Sequence, residues 1–391
     1  MIRLLATACG LIVANLYYAQ PLTALISQSI GLGAEHAGLI TTFTQLGYGA
    51  GLIFIAPLGD LIENRRLVVA GLALTTTALL AAWLSHSALS FLLAALFIGL
   101  GSVVAQVIVP FAAHLTVETQ RGHVVGKVMT GLLLGIMLAR PAASLIAGVW
   151  GWHAVFLASA LATGSLAIAL AGRLPRRDPA ATTRYPQLLS SMWHLLTTTP
   201  VLQRRALYHA CLFGAFSLFW TTVPLLLTGP IFGLSQLQLA AFALVGVAGA
   251  IAAPIAGRMA DRGKVRSGTL LAMSAVAAAF ALTLIGTPGS RTAVLALCAA
   301  AVLLDMGVAA NLVFGQREIF VLGAAMRGRL NGLYMAIFFL GGALGSSLGA
   351  WCFAHHGWVV TAALGAGSAL VALAFALTEA RRRPALASCT P

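Results

Sequence analysis

Residues recur in this chain at a nearly fixed interval. Arg121-Gly122, Gly126, Gly135 and Gly151-Trp152 come back 206 positions later as Arg327-Gly328, Gly332, Gly341 and Gly357-Trp358. A second echo links Gly59-Asp60 through Arg65-Arg66 to Gly257 and Asp261-Arg262-Gly263-Lys264. A chain that repeats its own half folds into two similar units. In a membrane, two such parallel units can rock about a central site, which is the geometry alternating access needs.

Hydropathy decides that the solvent is lipid. Hydrophobic residues make up 60% of the 391 and charged residues 8%, too few to cover a water-soluble surface. Apolar runs near 20 residues, each able to cross a hydrocarbon core of about 30 Å, lie at 4–28, 37–58, 67–84, 88–113, 128–150 and 152–172. The second half holds 207–228, 237–257, 268–286, 292–313, 332–353 and 357–378. The expected fold is an all-α integral membrane protein of twelve spans, in two six-helix bundles. Residues 1–172 form the first bundle, 173–205 a linker, 206–380 the second bundle and 381–391 a tail.

A net charge of +14 raises the question of nucleic acid, and the placement of the charges answers it. Of the 23 Lys and Arg, 21 fall on alternate inter-span segments, including Arg3, Arg65, Arg66, Arg121, Lys127, Arg204, Arg205, Arg262, Lys264, Arg317, Arg327 and Arg381 to Arg383. Only Arg140 falls within a span and Arg291 on the opposite side. The positive-inside rule then sets both termini in the cytoplasm, and no nucleic-acid partner is expected. The setting implied is a multi-pass protein of a bacterial-type inner (plasma) membrane.

The first run is not read as a cleaved signal, because Pro21 behind Tyr17 and Tyr18 matches Pro224 behind Phe219 and Trp220. Five scattered cysteines and nine histidines show neither disulfide nor metal-ligand spacing, so no metal and no cofactor is expected. No Gly-rich phosphate loop ending in Lys-Ser/Thr is present, which removes ATP as the energy source. In the linker, Leu188, Leu189, Met192, Trp193, Leu195 and Leu196 recur near helical spacing, predicting a short interfacial helix that tethers the halves.

Twelve spans, the duplication, the long middle loop and two copies of one loop motif make the chain resemble the major facilitator superfamily of secondary transporters. In that family the motif runs Gly, three residues, Asp-Arg, one residue, Gly-Arg and another basic residue. The second copy here keeps Gly257, Asp261, Arg262, Gly263 and Lys264, one residue shorter; the first keeps Asp60, Arg65 and Arg66 but has Ala56, Leu61, Glu63 and Asn64 at the other places. The resemblance implies a cytoplasmic latch, in which a carboxylate at a span end caps the positive N-terminus of a helix in the opposite bundle. Asp60 would face Arg327 to Asn331 at the start of span 11, and Asp261 the start of span 5 near His123 to Lys127, with Arg121 and Arg327 among the basic groups of the latch. Solvated loop charges are the alternative.

Glycine rows mark spans 5 and 11: Gly131 and Gly135, then Gly341, Gly345 and Gly349. Small residues at this spacing let helices approach closely, to slide or simply to pack. With Pro141 and Gly148, the first row resembles the Gly-Pro signature of antiporters in the superfamily, although the proline lies six residues beyond Gly135. That resemblance leans toward export.

Two opposite charges lie deep in the membrane. At about 1.5 Å per residue, Arg140 sits about 18 Å from the inner end of span 5 and Asp305 about 12 Å from that of span 10. Each costs at least about 2.5 kcal/mol at the bilayer centre, so both should face protein or a water-filled cavity. Asp305 is the candidate to bind and release a proton, with Arg140 holding it ionised or receiving an anionic substrate; a structural salt bridge is the alternative. The resemblance implies that spans 1, 4, 7 and 10 line the cavity. They carry Asn15, Tyr17, Tyr18 and Gln20, then Gln106, then Phe219 and Trp220, then Asn311. Aromatics, amides and one ion pair suit a small amphipathic organic molecule. The expectation is a proton-coupled exporter, a monomer as is usual in the superfamily, with an importer or metabolite exchanger as the alternative and an intramembrane enzyme or sensor more remote.

Overall fold

The computed structural model describes residues 1–117, 120–176, 184–323 and 326–379. The expected tail 381–391, linker residues 177–183 and the side chain of Arg121 lie outside them. Among the described residues every regular element is helical. Ten helices among the described residues are long and apolar enough to cross a membrane, and the longest of them, Arg327–Thr378, is spans 11 and 12 joined at Gly357. Gly357 has φ 72° and its counterpart Gly151, between spans 5 and 6, has φ 79°. Only glycine takes this left-handed backbone without strain, which accounts for that part of the sequence echo.

Span 1 completes the set of twelve as a broken crossing. Helix Ile2–Ala14 ends in turns, a 3-10 segment Gln20–Leu22 follows, and Thr23–Ser29 resumes the helix. Pro21 supplies no N–H, and the hydroxyl of Thr23 donates instead to the carbonyls of Ala19 and Gln20, at 3.1 and 2.8 Å. In lipid such a break persists only where a neighbour satisfies the freed groups. Span 8 is broken as well, into Gln236–Val245, a 3-10 segment Gly246–Ile251 and Ala252–Asp261. By contrast, the helices carrying Arg140 and Asp305, Arg121–Trp150 and Arg291–Phe320, run 30 residues each without a break.

The bundles meet along spans 2 and 11 and along span 5 with the Gln236–Val245 half of span 8. Thr42 donates to the Ala343 carbonyl at 2.9 Å and shares a 2.8 Å hydrogen bond with Ser346. Gln45 donates to the hydroxyl of Ser217 at 2.8 Å. The predicted linker helix is present as Tyr185–Thr198 and touches both bundles: Tyr185 donates to the Phe54 carbonyl at 2.9 Å, and Arg329 of span 11 donates to Ser191 at 2.6 Å. Its Leu188 and Met192 are buried whereas Trp193 is 67% exposed, the division expected of an amphipathic helix. Span 7 starts at Pro200, so Arg204 and Arg205 stand on its first turns and not on a solvated segment.

Candidate functional site

The breaks in spans 1 and 8 converge on the two deep charges. The interrupted backbone at Gln20 brings its amide oxygen to Arg140, whose Nε donates to it at 2.8 Å. Three rings surround the guanidinium: its carbon lies 5.1 Å from the centroid of Tyr17, 5.0 Å from Phe216 and 4.3 Å from Trp220. A desolvated cation over an aromatic face is attracted by the ring quadrupole, so these rings offset part of what burying Arg140 costs. On the other side, Trp220 Nε1 donates to Asp305 Oδ1 at 2.9 Å. Arg140 and Asp305 therefore form no direct ion pair. They are joined through one indole, with the cation on its face and the anion on its N–H edge.

Glycine in span 8 makes room for this. A Cβ on Gly246 would come within 2.9 Å of Asp305 Oδ2 and 2.8 Å of the Trp220 ring, and one on Gly249 would overlap the Asp305 side chain. Arg140 is 4% exposed and Trp220 1%, while Asp305 is only partly buried. Asp305 is thus the open face of the cluster. A groove of about 760 Å³ runs from Arg3 and Lys127 between spans 1 and 5 to Tyr18 and Ala139, the chain neighbours of Tyr17 and Arg140.

The remaining cavity candidates find partners inside their own bundles. Asn15 accepts from Ser159. Gln106 donates to the Tyr48 hydroxyl at 3.0 Å, and its duplicate Asn311 pairs with His209 Nδ1 at 2.8 Å. Phe219 packs edge-on against Trp220, Phe280 and Trp358. Of the predicted set, Tyr17, Gln20, Arg140, Trp220 and Asp305 come together; Tyr18 is half-buried at the end of the groove.

The glycine rows face within bundles. Gly131 and Gly135 lie against Ala6 and Gly10 of span 1, Gly341 and Gly345 against Ala210 and Gly214 of span 7, and Gly349 against Leu218. The expected latch across the bundles is not formed in this conformation. Asp261 pairs with Arg317 of span 10 at 3.6 Å, and Arg327 donates to the Phe320 carbonyl at 3.2 Å, both within the second bundle. Arg65 reaches the carbonyl of Leu174, just past the end of span 6, at 3.5 Å, and Arg66 pairs with Glu63 at 2.9 Å, neither crossing to the second bundle. Asp60 and Arg262 are exposed, as is Lys264, while Gly257 has open space around it. The physical reason is that spans 5 and 8 pack through the half of span 8 remote from Asp261.

Two features escape the sequence reading. Arg205 is 5% exposed and draws together three span ends: Glu318 at 3.6 Å, Glu379 at 3.7 Å and Thr269 at 3.1 Å. His209 is fully buried, stacked on Tyr334 and Phe338 at centroid distances of 5.3 and 4.5 Å. A histidine inside an apolar run was the available signal for the second. Arg205 looked like one more basic residue flanking a span.

Helical spans, a duplicated bundle and opposite charges at mid-depth define a membrane transporter. The family model of the Major Facilitator Superfamily matches residues 5–318. The uncharacterized transporter YgaY of Escherichia coli is 39% identical over 373 residues, covering 95% of this chain and 94% of that protein. The probable transporter SCO4007 of Streptomyces coelicolor is 35% identical over 365 residues, covering 91% of this chain and 82% of that one. In structure, the nucleoside transporter NupG is similar with a TM-score of 0.77 at 12% identity, over 97% of this chain and 99% of that chain. The chain belongs to the Major Facilitator Superfamily.

Proposed function

We propose that this transporter is a proton-coupled antiporter that exports small amphipathic organic compounds by alternating access, with the basic end in the cytoplasm. The observation that carries the reading is Asp305 at mid-helix, hydrogen-bonded by the indole whose face holds Arg140. A carboxylate at that depth is held by one N–H and otherwise open, so gain of a proton changes what it holds. The aromatic and amide lining at Tyr17, Gln20 and Trp220 suits an amphipathic molecule. In this reading the loop residues Asp60, Arg65, Arg66, Asp261, Arg262 and Arg327 engage across the bundles only when the basic end closes, and the linker helix tethers the halves as they move. Monomers suffice, since each chain contains both bundles.

The test is transport in proteoliposomes under an imposed pH gradient, with lipophilic cations, organic acids, antibiotics and common metabolites as the panel. Proton movement coupled to efflux, lost in Asp305→Asn, is the expected result. Uptake of a metabolite, or flux indifferent to the gradient, would replace export with import or facilitation.

A further inference from the structure

Two donors in the central cluster lack acceptors. Arg140 donates through Nε to Gln20, yet its Nη2 is buried with no hydrogen-bond partner, and so is the Nε2 of that same Gln20. The rings of Tyr17, Phe216 and Trp220 attract the guanidinium but accept no conventional hydrogen bond from it. Asp305 is engaged by the Trp220 indole N–H and does not reach Arg140. A buried guanidinium nitrogen and a buried amide nitrogen, on two residues already joined by a hydrogen bond, are thus two donors that an incoming acceptor would satisfy.

We propose that Arg140 and Gln20 form a subsite for a carboxylate on the transported molecule, and that Trp220 is the lid over it. Two carboxylate oxygens match two donors, and charge-assisted hydrogen bonds to a guanidinium are the strong kind. An ammonium group in the same place would meet a like charge, and a neutral amide would leave the guanidinium charge uncompensated. In this conformation the lid is closed: the indole lies 4.3 Å from the guanidinium carbon and is tied by its N–H to Asp305. The inference rests on the proposed proton role of Asp305 for the lid's trigger. A proton on that carboxylate turns the charge-assisted bond from Trp220 into a neutral one, roughly half as strong, and frees the indole to swing away.

The experiment measures thermal stabilisation of the purified full-length protein in detergent at constant ionic strength, with no gradient. The probes are benzoate, benzamide and benzylamine, and octanoate against octylamine. Carboxylates alone should raise Tm with dose; Arg140→Gln should abolish the shift, Gln20→Leu should weaken it, and Trp220→Phe, which keeps a ring but loses the N–H, should tighten carboxylate binding several-fold. The proposal is overturned if amine or amide stabilises as well as carboxylate, if no carboxylate stabilises, or if the shift survives Arg140→Gln. Should Arg140→Gln fail to fold, an unchanged carboxylate response in Gln20→Leu overturns the subsite, and an unchanged one in Trp220→Phe overturns the lid. Because binding is read at equilibrium, this failure is distinct from a failure of proton coupling, which is read as gradient-driven flux through Asp305→Asn.

Discussion

In the first bundle, Gly10 of span 1 rests on Gly131 and Gly135 of span 5; in the second, Gly214 of span 7 rests on Gly341 and Gly345 of span 11. The polar groups of the same two bundles are not copies. The first contributes Arg140, with Gln20 as its polar contact, whereas the second contributes Asp305 and a charge cluster of buried Arg205 with partly exposed Glu318 and Glu379. Backbone-to-backbone contact admits no side chain, so both copies keep glycine there. A polar position only needs some partner, and the halves have settled on different ones. That divergence places opposite charges on the two sides of one indole, which two identical bundles could not do.

The largest effect expected is on the charge asymmetry: Asp305→Asn should bring pH-driven transport to background while the protein stays folded, measured by gradient-driven flux and by Tm in detergent. Retained accumulation against a gradient would remove Asp305 from coupling and make the asymmetry structural. Next comes the shared packing. Gly135→Leu and Gly345→Leu should each destabilise by about 1–3 kcal/mol or more through overpacking, seen as similar drops in Tm, while Gly367→Ala, with open space around it, should be silent. A large effect in one bundle and none in the other would show that the duplicate contacts are not equivalent.

Arg205→Gln sharpens the difference between the bundles. Loss of the charged guanidinium's hydrogen bond to Thr269, with its two ion pairs, should cost about 1.5–3 kcal/mol, discounted because Glu318 and Glu379 are 27% and 23% exposed. The measurement is Tm at low and high salt; no change would mean that water replaces the guanidinium. The smallest effect is expected at the tether, where Tyr185→Phe removes one exposed hydrogen bond of about 0.5–1 kcal/mol at most. Proteolysis of the linker helix should quicken slightly, and an unchanged rate would leave Ser191 with Arg329 as the working contact.

Legibility followed the length scale of the cause. Gly151 and Gly357 were visible as an echo because a left-handed turn between spans admits little else. Arg140 and Asp305 were visible because charge within an apolar run is costly. The partners of Asn15, Gln106 and Asn311 were not visible, since an amide in a span bonds equally well to a substrate or to a neighbouring helix. Arg205 was hidden by its position at a span end, where most arginines are solvated and only convergence of three helices buries one.

By itself the sequence determined the number of crossings, the duplication and the identity of the deep charges, because bilayer thickness and the cost of burying charge act on a chain residue by residue. Which groups meet was decided by the tertiary structure alone. The breaks at Gln20 and at Gly246–Ile251, and the rotation of each helix about its own axis, put Trp220 between Arg140 and Asp305 and kept Asp261 within its own bundle. Helix rotation and register are set by packing summed over many neighbours, and no single stretch of sequence encodes that sum.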